Sequence, residues 1–336
     1  MMDMKRVIIL FVAVMAVVTA VYAQTVVSME RPSEKEFRKA VKVLMYKTNG
    51  HDVTPKRMAA MEVAQRMLNN FSPADWKAYR NLADVAALAE VESEGTPYFL
   101  RQSVDKVCRE VKKTKVKDGT VAVWLLYNMG YIVKTPTSVF AFDIHTKYID
   151  KIVDLVDFVM ITHRHGDHCN VGFLRAMTAR GKAVYAAFDI EGVDVTKIVH
   201  KGEYQVGDVK FRVTIGDHNK KLRNFVASYE VDCGANTAHT VIYHTGDSNN
   251  YKQLNPQKQV DIFMPHMAVG LNIPKALGKI KPYHIFISHN QELGHGVRKW
   301  RWTFHDALKL KAKLNHDHIW IPCWGERVIY NRKNWK

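Results

Sequence analysis

Three histidines and an aspartate crowd into six positions of this chain, in the stretch Thr162-His163-Arg164-His165-Gly166-Asp167-His168. They end an apolar run, Phe158–Thr162, that reads as a buried strand. Alternate side chains of an extended segment share a face, so His163 and His165 are aimed to one side, and the turn after them brings Asp167 and His168 around the same point. Neutral imidazoles and a carboxylate suit zinc, and manganese or iron can use them too. Four donors this close cannot all serve one tetrahedral ion without folding the backbone onto itself. Two adjacent divalent ions are the natural solution, and they need further donors from downstream. Those donors stand just after other β-type runs: Asp217-His218 after Val209–Ile215, Asp247 after Thr240–His244, and His289 after the apolar Ile285–Ile287. His200 competes with His218 but sits in a turn before the next strand, and His284 competes with His289 but begins its strand. Cys169 reads as a small buried neighbour of His168.

The elements that must position these residues fall into two parts. Residues 33–115 read as helical. Ser33-Glu34-Lys35-Glu36 is a capping box, and Thr54-Pro55, Ser72-Pro73 and Thr96-Pro97 each open a further helix. The third is expected to run through Leu82, Val85 and Leu88, and the Met-rich faces read as packing surface. The lysine-rich run 112–117 reads as a solvated linker or helix end, and with Asp118-Gly119 it marks a boundary. Beyond it come short β-rich runs: Val121–Leu126, Tyr131–Lys134, Val139–Phe142, Ala183–Ala186, Phe225–Val231, Asp261–Met264 and His284–Ser288. Helices are expected at Gly172–Arg180 and Phe304–Leu314. A β-meander mixed with buried strand–helix units predicts an α/β sandwich of two sheets.

The pattern His163-x-His165-x-Asp167-His168, with His218, Asp247 in Tyr243-His244-Thr245-Gly246-Asp247-Ser248, and His289, resembles the metallo-β-lactamase superfamily over about residues 119–330. The resemblance implies an αββα sandwich with two metals at one edge of the facing sheets. It implies His163, His165 and His218 on one ion, Asp167, His168 and His289 on the other, and Asp247 bridging both. Within the superfamily, Trp124–Tyr131, Asp143 and Trp324-Gly325-Glu326 are similar to the branch of ascorbate-6-phosphate lactonase and related metal-dependent phosphodiesterases. Aspartate at 247, where some β-lactamases carry cysteine, argues against that antibiotic-resistance subclass. His165, where the diiron oxidoreductases usually have glutamate, disfavours redox chemistry.

The chemistry expected is hydrolysis of an ester, lactone, amide or phosphoester by a metal-activated hydroxide, with Asp167 orienting it or shuttling a proton. Asp143 and Thr162 are expected to fix imidazole tautomers. His244, His266 and His295 are candidates to line the substrate pocket. The partner is a small molecule. A metal-dependent nuclease and a secreted metal-binding scaffold without turnover are the alternatives.

The chain has 336 residues with 47% hydrophobic and 24% charged, which excludes a disordered, collagenous or multi-span membrane protein. Its net charge of +16 permits an anionic partner. A nucleic-acid role is disfavoured, because Arg298-Lys299-Trp300-Arg301-Trp302 is the one basic stripe interleaved with aromatics. Lys5 and Arg6, the apolar stretch Val7–Val21 and the exit Val21-Tyr22-Ala23 read as a signal peptide cleaved after Ala23, so the expected location is periplasmic or secreted. An uncleaved segment would instead anchor the chain to a membrane. Four scattered cysteines form no Cys-x-x-Cys pair and demand no disulfide. Oligomeric state leaves no mark in the sequence.

Overall fold

The computed structural model describes residues 30–267, 270–297 and 299–334; the expected signal peptide, residues 1–23, lies outside them. The chain opens with α1 (Glu34–Tyr46), α2 (Pro55–Asn69), α3 (Pro73–Asn81), α4 (Val85–Val91) and α5 (Gly95–Lys113). Ser33 and Ser72 make reciprocal capping boxes with Glu36 and Asp75, and the Thr54 hydroxyl accepts from Arg57 N–H. The helix expected to continue through Leu82, Val85 and Leu88 is instead two. Leu82 turns extended, and the Asp84 carboxylate accepts the Ala87 N–H at 2.7 Å, which caps a new start. The helix expected at Thr96-Pro97 begins at Gly95, with that pair in its first turn.

Strands β1 (Thr120–Tyr127), β2 (Gly130–Lys134), β3 (Val139–Phe142), β4 (Phe158–Ile161), β5 (Ala183–Ala186) and β6 (Lys197–Ile198) come next. Between them lie α6 (Ile149–Val153) and α7 (Val171–Ala179). Then follow β7 (Gly202–Val206), β8 (Val209–Gly216), β9 (Val226–Asp232), β10 (Val241–His244), β11 (Ile262–Met264) and β12 (His284–Phe286), with α8 (Ile273–Ile280) between the last two. A small pair, β13 (Gly296–Val297) and β14 (Trp300–Arg301), precedes α9 (Phe304–Lys313), β15 (Ile319–Trp320) and β16 (Arg327–Asn331). The first sheet runs β16-β1-β2-β3-β4-β5-β6 and the second β15-β12-β11-β10-β9-β8-β7. This is the α/β two-sheet sandwich expected. The strand β16 pairs antiparallel with β1, so the chain's end closes the sheet that its middle began.

The period of two in β1 separates two cores. Val121, Val123, Leu125 and Tyr127 join the interior between the sheets, while Ala122, Trp124 and Leu126 meet Val104, Val107 and Val111 of α5 on the outer face. Helix α7 covers the same outer face through Phe173, Leu174 and Met177. The interior continues without a break into α1–α3, where Phe37 and Trp76 belong to the same cluster as the strands.

Polar bonds pin these helices to the sandwich. Arg57, fully buried, donates to Glu326 at 2.7 Å and to the Ile321 carbonyl at 2.9 Å. Glu326 also accepts the Gly50 and Cys323 N–H groups. Lys106 reaches the Gly325 carbonyl at 2.6 Å. The Trp324-Gly325-Glu326 segment, read from sequence as a mark of one enzymatic branch, is thus where the helices are fastened. No helix among the described residues is long and apolar enough to cross a membrane.

Candidate metal centre

The clustered donors leave the ends of five different strands. His163, His165, Asp167 and His168 follow β4, His218 follows β8, Asp247 follows β10, His266 follows β11 and His289 follows β12. Strands β3–β5 are mutually parallel, as are β10–β12, so their carboxyl ends gather at one edge of the sandwich. Bonds between the sheets hold that edge closed. Ala227 N–H donates to the Thr162 carbonyl at 2.8 Å, and the Tyr229 hydroxyl to that of Ile161 at 2.9 Å. Gly246 has φ of +51°, and a Cβ there would lie 2.7 Å from that of Thr162. Glycine therefore lets the Asp247 loop close onto the His163 loop.

The structure brings the seven sequence-chosen donors together. His163, His165, His218 and Asp247 form one group whose ligand-capable atoms lie within 4.8 Å of one another, and Asp167, His168 and His289 form a second. Asp247 stands between them. Its Oδ2 is 3.7 Å from His163 Nε2 and 3.4 Å from His218 Nε2, while its Oδ1 is 3.1 Å from His168 Nε2. Asp167 Oδ2 lies 3.2 Å from His289 Nε2 and 3.3 Å from His168 Nε2.

Asp143 and Thr162 sit behind these donors as the sequence suggested. Asp143 Oδ2 faces His168 Nδ1 at 2.8 Å and also accepts the Thr162 hydroxyl at 2.7 Å. That hydroxyl has spent its proton on Asp143, so at 3.0 Å it accepts from His163 Nδ1. Both imidazoles therefore turn Nε2 toward the cluster, the tautomer and direction that a metal ligand needs. Asp143 itself is buried with φ of +43°, a left-handed conformation that aspartate tolerates better than most residues.

Burial and neighbouring charge set the protonation. His163 and His266 are held well below the usual imidazole range by burial and by the adjacent imidazoles. Burial would raise Asp167 and Asp247, but the surrounding imidazoles, His168 foremost, outweigh it and hold both carboxyls far down. His168 goes the other way: burial opposes its charge, yet Asp247, Asp167 and Asp143 together raise it well above normal. His168 Nε2, Asp247 Oδ1 and His289 Nδ1 are buried and make no hydrogen bond. Ionised carboxylates, neutral imidazoles at His163 and His266, and orphaned polar atoms in one place suit a cation site. The residues present fit two divalent ions.

The three pocket candidates part ways. His266 belongs to the cluster: its Nε2 is 3.9 Å from Asp247 Oδ2, its ring centre 3.9 Å from that of His289, and it forms a third potential ligand group with those two. Its sequence signal, a histidine after Met264-Pro265 at a strand end, is the same signal that marked the other donors. His244 does not reach the pocket. It is buried flat against Phe142, with Nε2 on the Met129 carbonyl at 3.0 Å and Nδ1 accepting from Gly246 N–H at 3.2 Å. As the last residue of β10 it points into the sandwich, where both ring nitrogens are already used. His295 lines the cleft and bonds Glu292 at 2.5 Å, a partner that raises its pKa.

Sequence reading missed Asn128, whose side-chain amide donates to Asp167 at 3.0 Å, and the buried Glu292 behind His295. Asn128 occupies the β1–β2 turn at φ of +54°, a position that reads simply as turn chemistry. The second histidine–carboxylate pair, Glu292–His295, comes from a loop with no pattern to announce it.

Residues 124–276 match the model of the β-lactamase superfamily domain. That stretch carries a β-lactamase-superfamily domain. With it comes the enzyme class, a metal-dependent hydrolase. No curated protein matches the chain. Among solved structures, the domain is similar to a possible metal-dependent hydrolase from Veillonella parvula, at 12% identity and a TM-score of 0.50 over 63% of this chain and 99% of that one. It is also similar to Igni18, a metallo hydrolase from Ignicoccus hospitalis, at 15% identity and a TM-score of 0.48 over 63% and 98%. YhfI from Bacillus subtilis, a metallo-β-lactamase fold protein, gives 12% and 0.46 over 64% and 100%. Likeness at these identities is likeness of fold.

Proposed function

We propose that this metallo-β-lactamase-superfamily hydrolase uses two divalent ions, zinc foremost, to hydrolyse an ester, lactone, amide or phosphoester outside the cytoplasm. The observation that carries the reading is Asp247, which offers one oxygen to the His163–His165–His218 group and the other to His168 beside Asp167 and His289. His163, His165 and His218 would hold one ion and Asp167, His168 and His289 the other, with Asp247 between them. The donor set contains imidazole and carboxylate and no thiolate, which suits zinc and leaves manganese or iron open. When bound, such ions acidify water to a nucleophile near neutral pH and polarise the oxygen under attack. The signal-like residues 1–23 support export.

The chain's own groups supply the rest. Asp167 borders both clefts that open onto the cluster, and Asn128 fixes its carboxylate, so it can orient attacking water and receive its proton. His295, whose charged form the Glu292 carboxylate favours, faces the same space and can give a proton to the leaving group. Trp300 and Trp302 wall the smaller cleft, about 310 Å³, with apolar surface. Asp143 and Glu326, which pointed to a narrower branch, hold His168 and Arg57 respectively and so do not single out a substrate.

Replacing Asp167 by alanine tests the reading: turnover in a panel of esters, lactones and phosphodiesters should vanish. Full activity in that variant would refute the assigned role.

A further inference from the structure

The cluster opens onto two clefts that share His165, Asp167 and His295. The larger, about 840 Å³, runs away from the metal-binding residues to α3, where Trp76, Lys77 and Arg80 line its far side. A helical segment outside the matched region of residues 124–276 therefore completes the wall of the reaction space.

Lys77 and Arg80 are three residues apart on α3, on one face, and both are exposed. The Arg80 guanidinium lies over the Trp76 ring, 5.7 Å from its centre, and Trp76 in turn stacks on Tyr127 of β1 at 5.2 Å. The stack fixes where the cation stands. The carboxylates lining this cleft are engaged elsewhere: Glu292 with His295 and the Tyr127 hydroxyl, and Asp167 with Asn128, His168 and His289. Among the described residues neither Lys77 nor Arg80 makes an ion pair, so two positive charges face the cavity.

A second observation points the same way. His145 lines the cleft at only 3% exposure, and its Nδ1 is buried with no hydrogen-bond partner. A buried ring nitrogen without a partner, on a residue that lines a cavity, marks a place where a ligand's polar group belongs.

We propose that the substrate carries an anionic group, a carboxylate or a phosphate, remote from the bond to be cut. Lys77 and Arg80 hold the anion on α3, His145 Nδ1 bonds a polar group along the connecting part, and the scissile bond lies at Asp167. The inference rests on the hydrolase reading above. It gives α3 a specificity-determining role in addition to its packing.

The test compares three p-nitrophenyl esters of equal chain length: the neutral pentanoate, the hydrogen glutarate and the 4-phosphonobutanoate. The metal-loaded full chain should prefer an anionic ester by kcat/KM, and which one it prefers decides between carboxylate and phosphate. In the double variant Lys77→Gln/Arg80→Gln the anionic-to-neutral ratio should fall about tenfold, through KM, as expected for two cleft-facing charges. Calorimetric titration of the same two proteins with glutarate and propylphosphonate gives a readout free of turnover. Binding weakened in the double variant supports the anion wall even if no ester is cleaved, in which case the hydrolase reading fails alone. An unchanged ester ratio, or equal binding by both proteins, overturns the proposal.

Discussion

Asp143 shows how little of a metal site is the ligands themselves. One buried carboxylate holds His168 at Nδ1 and receives the Thr162 hydroxyl, which sets His163. Asp143→Asn should leave the fold intact but lower metal affinity about 10- to 100-fold, measured by competition with a chelator. An unchanged affinity would show that the tautomers are set elsewhere. The sequence displayed this pair because each follows a strand that reads clearly. It could not separate His244 from His266, since both are histidines at strand ends. What differs is the space beyond them: the Met129 carbonyl and Gly246 N–H close around His244, and the cluster opens beside His266.

Protonation follows the same geometry. Burial pushes His145 down to about 4 and His284 to about 3. Their folded pKa values lie below the unfolded value of about 6.5, so the unfolded chain binds more protons between those limits. Stability is therefore full above pH of about 6.5 and declines as pH falls toward the folded values. Asp167 and Asp247, depressed by the imidazoles, add a loss in the same direction at more acid pH. His168, raised, opposes this in metal-free protein, because its contribution is present at low pH and is lost as pH rises through its folded value. The midpoint of urea unfolding for metal-free protein should fall steadily from pH 7 to pH 5. A flat or rising midpoint would contradict the buried, neutral state of His145 and His284.

At the scale of elements, the helices and the sandwich meet through charges with no water to share. Arg57 and Glu326 are both buried, and the Arg57 side chain also serves the Ile321 carbonyl. Removing one partner strands the other, so Arg57→Ala should cost about 3–5 kcal/mol in denaturant unfolding. A loss below about 1 kcal/mol would show that the pair is dispensable. Arg301 plays a similar part at the other end, with its guanidinium on the Leu68 and Phe71 carbonyls at the end of α2. It thereby anchors the β13–β14 segment that carries Trp300 over the cleft. Neither arginine could be read as an anchor from sequence, because the partners that join it to the other part of the chain lie more than two hundred residues away. The capping boxes at Ser33 and Ser72 were legible, since their physics is confined to four residues. Short strands such as β6 and β15, two residues each, exist only by pairing with neighbours and left no periodicity to find.

At the scale of the molecule, one interior runs from the facing sheets into α1–α3, and β16 returns to pair with β1. The lysine run before Gly119 reads as a boundary, yet Trp76, Phe99 and Tyr127 share a core across it. A chain beginning at Gly119 should therefore expose that core, and sedimentation should find it aggregated. A soluble, cooperatively unfolding fragment would show that the helices are an accessory.

Elemental analysis by mass spectrometry of purified full-length protein, beside Asp247→Ala, bears most directly on the centre itself. The geometry predicts about two divalent ions per wild-type chain and one or none in the variant. A wild-type chain that retains no metal after loading, or a variant that still holds two, would contradict it.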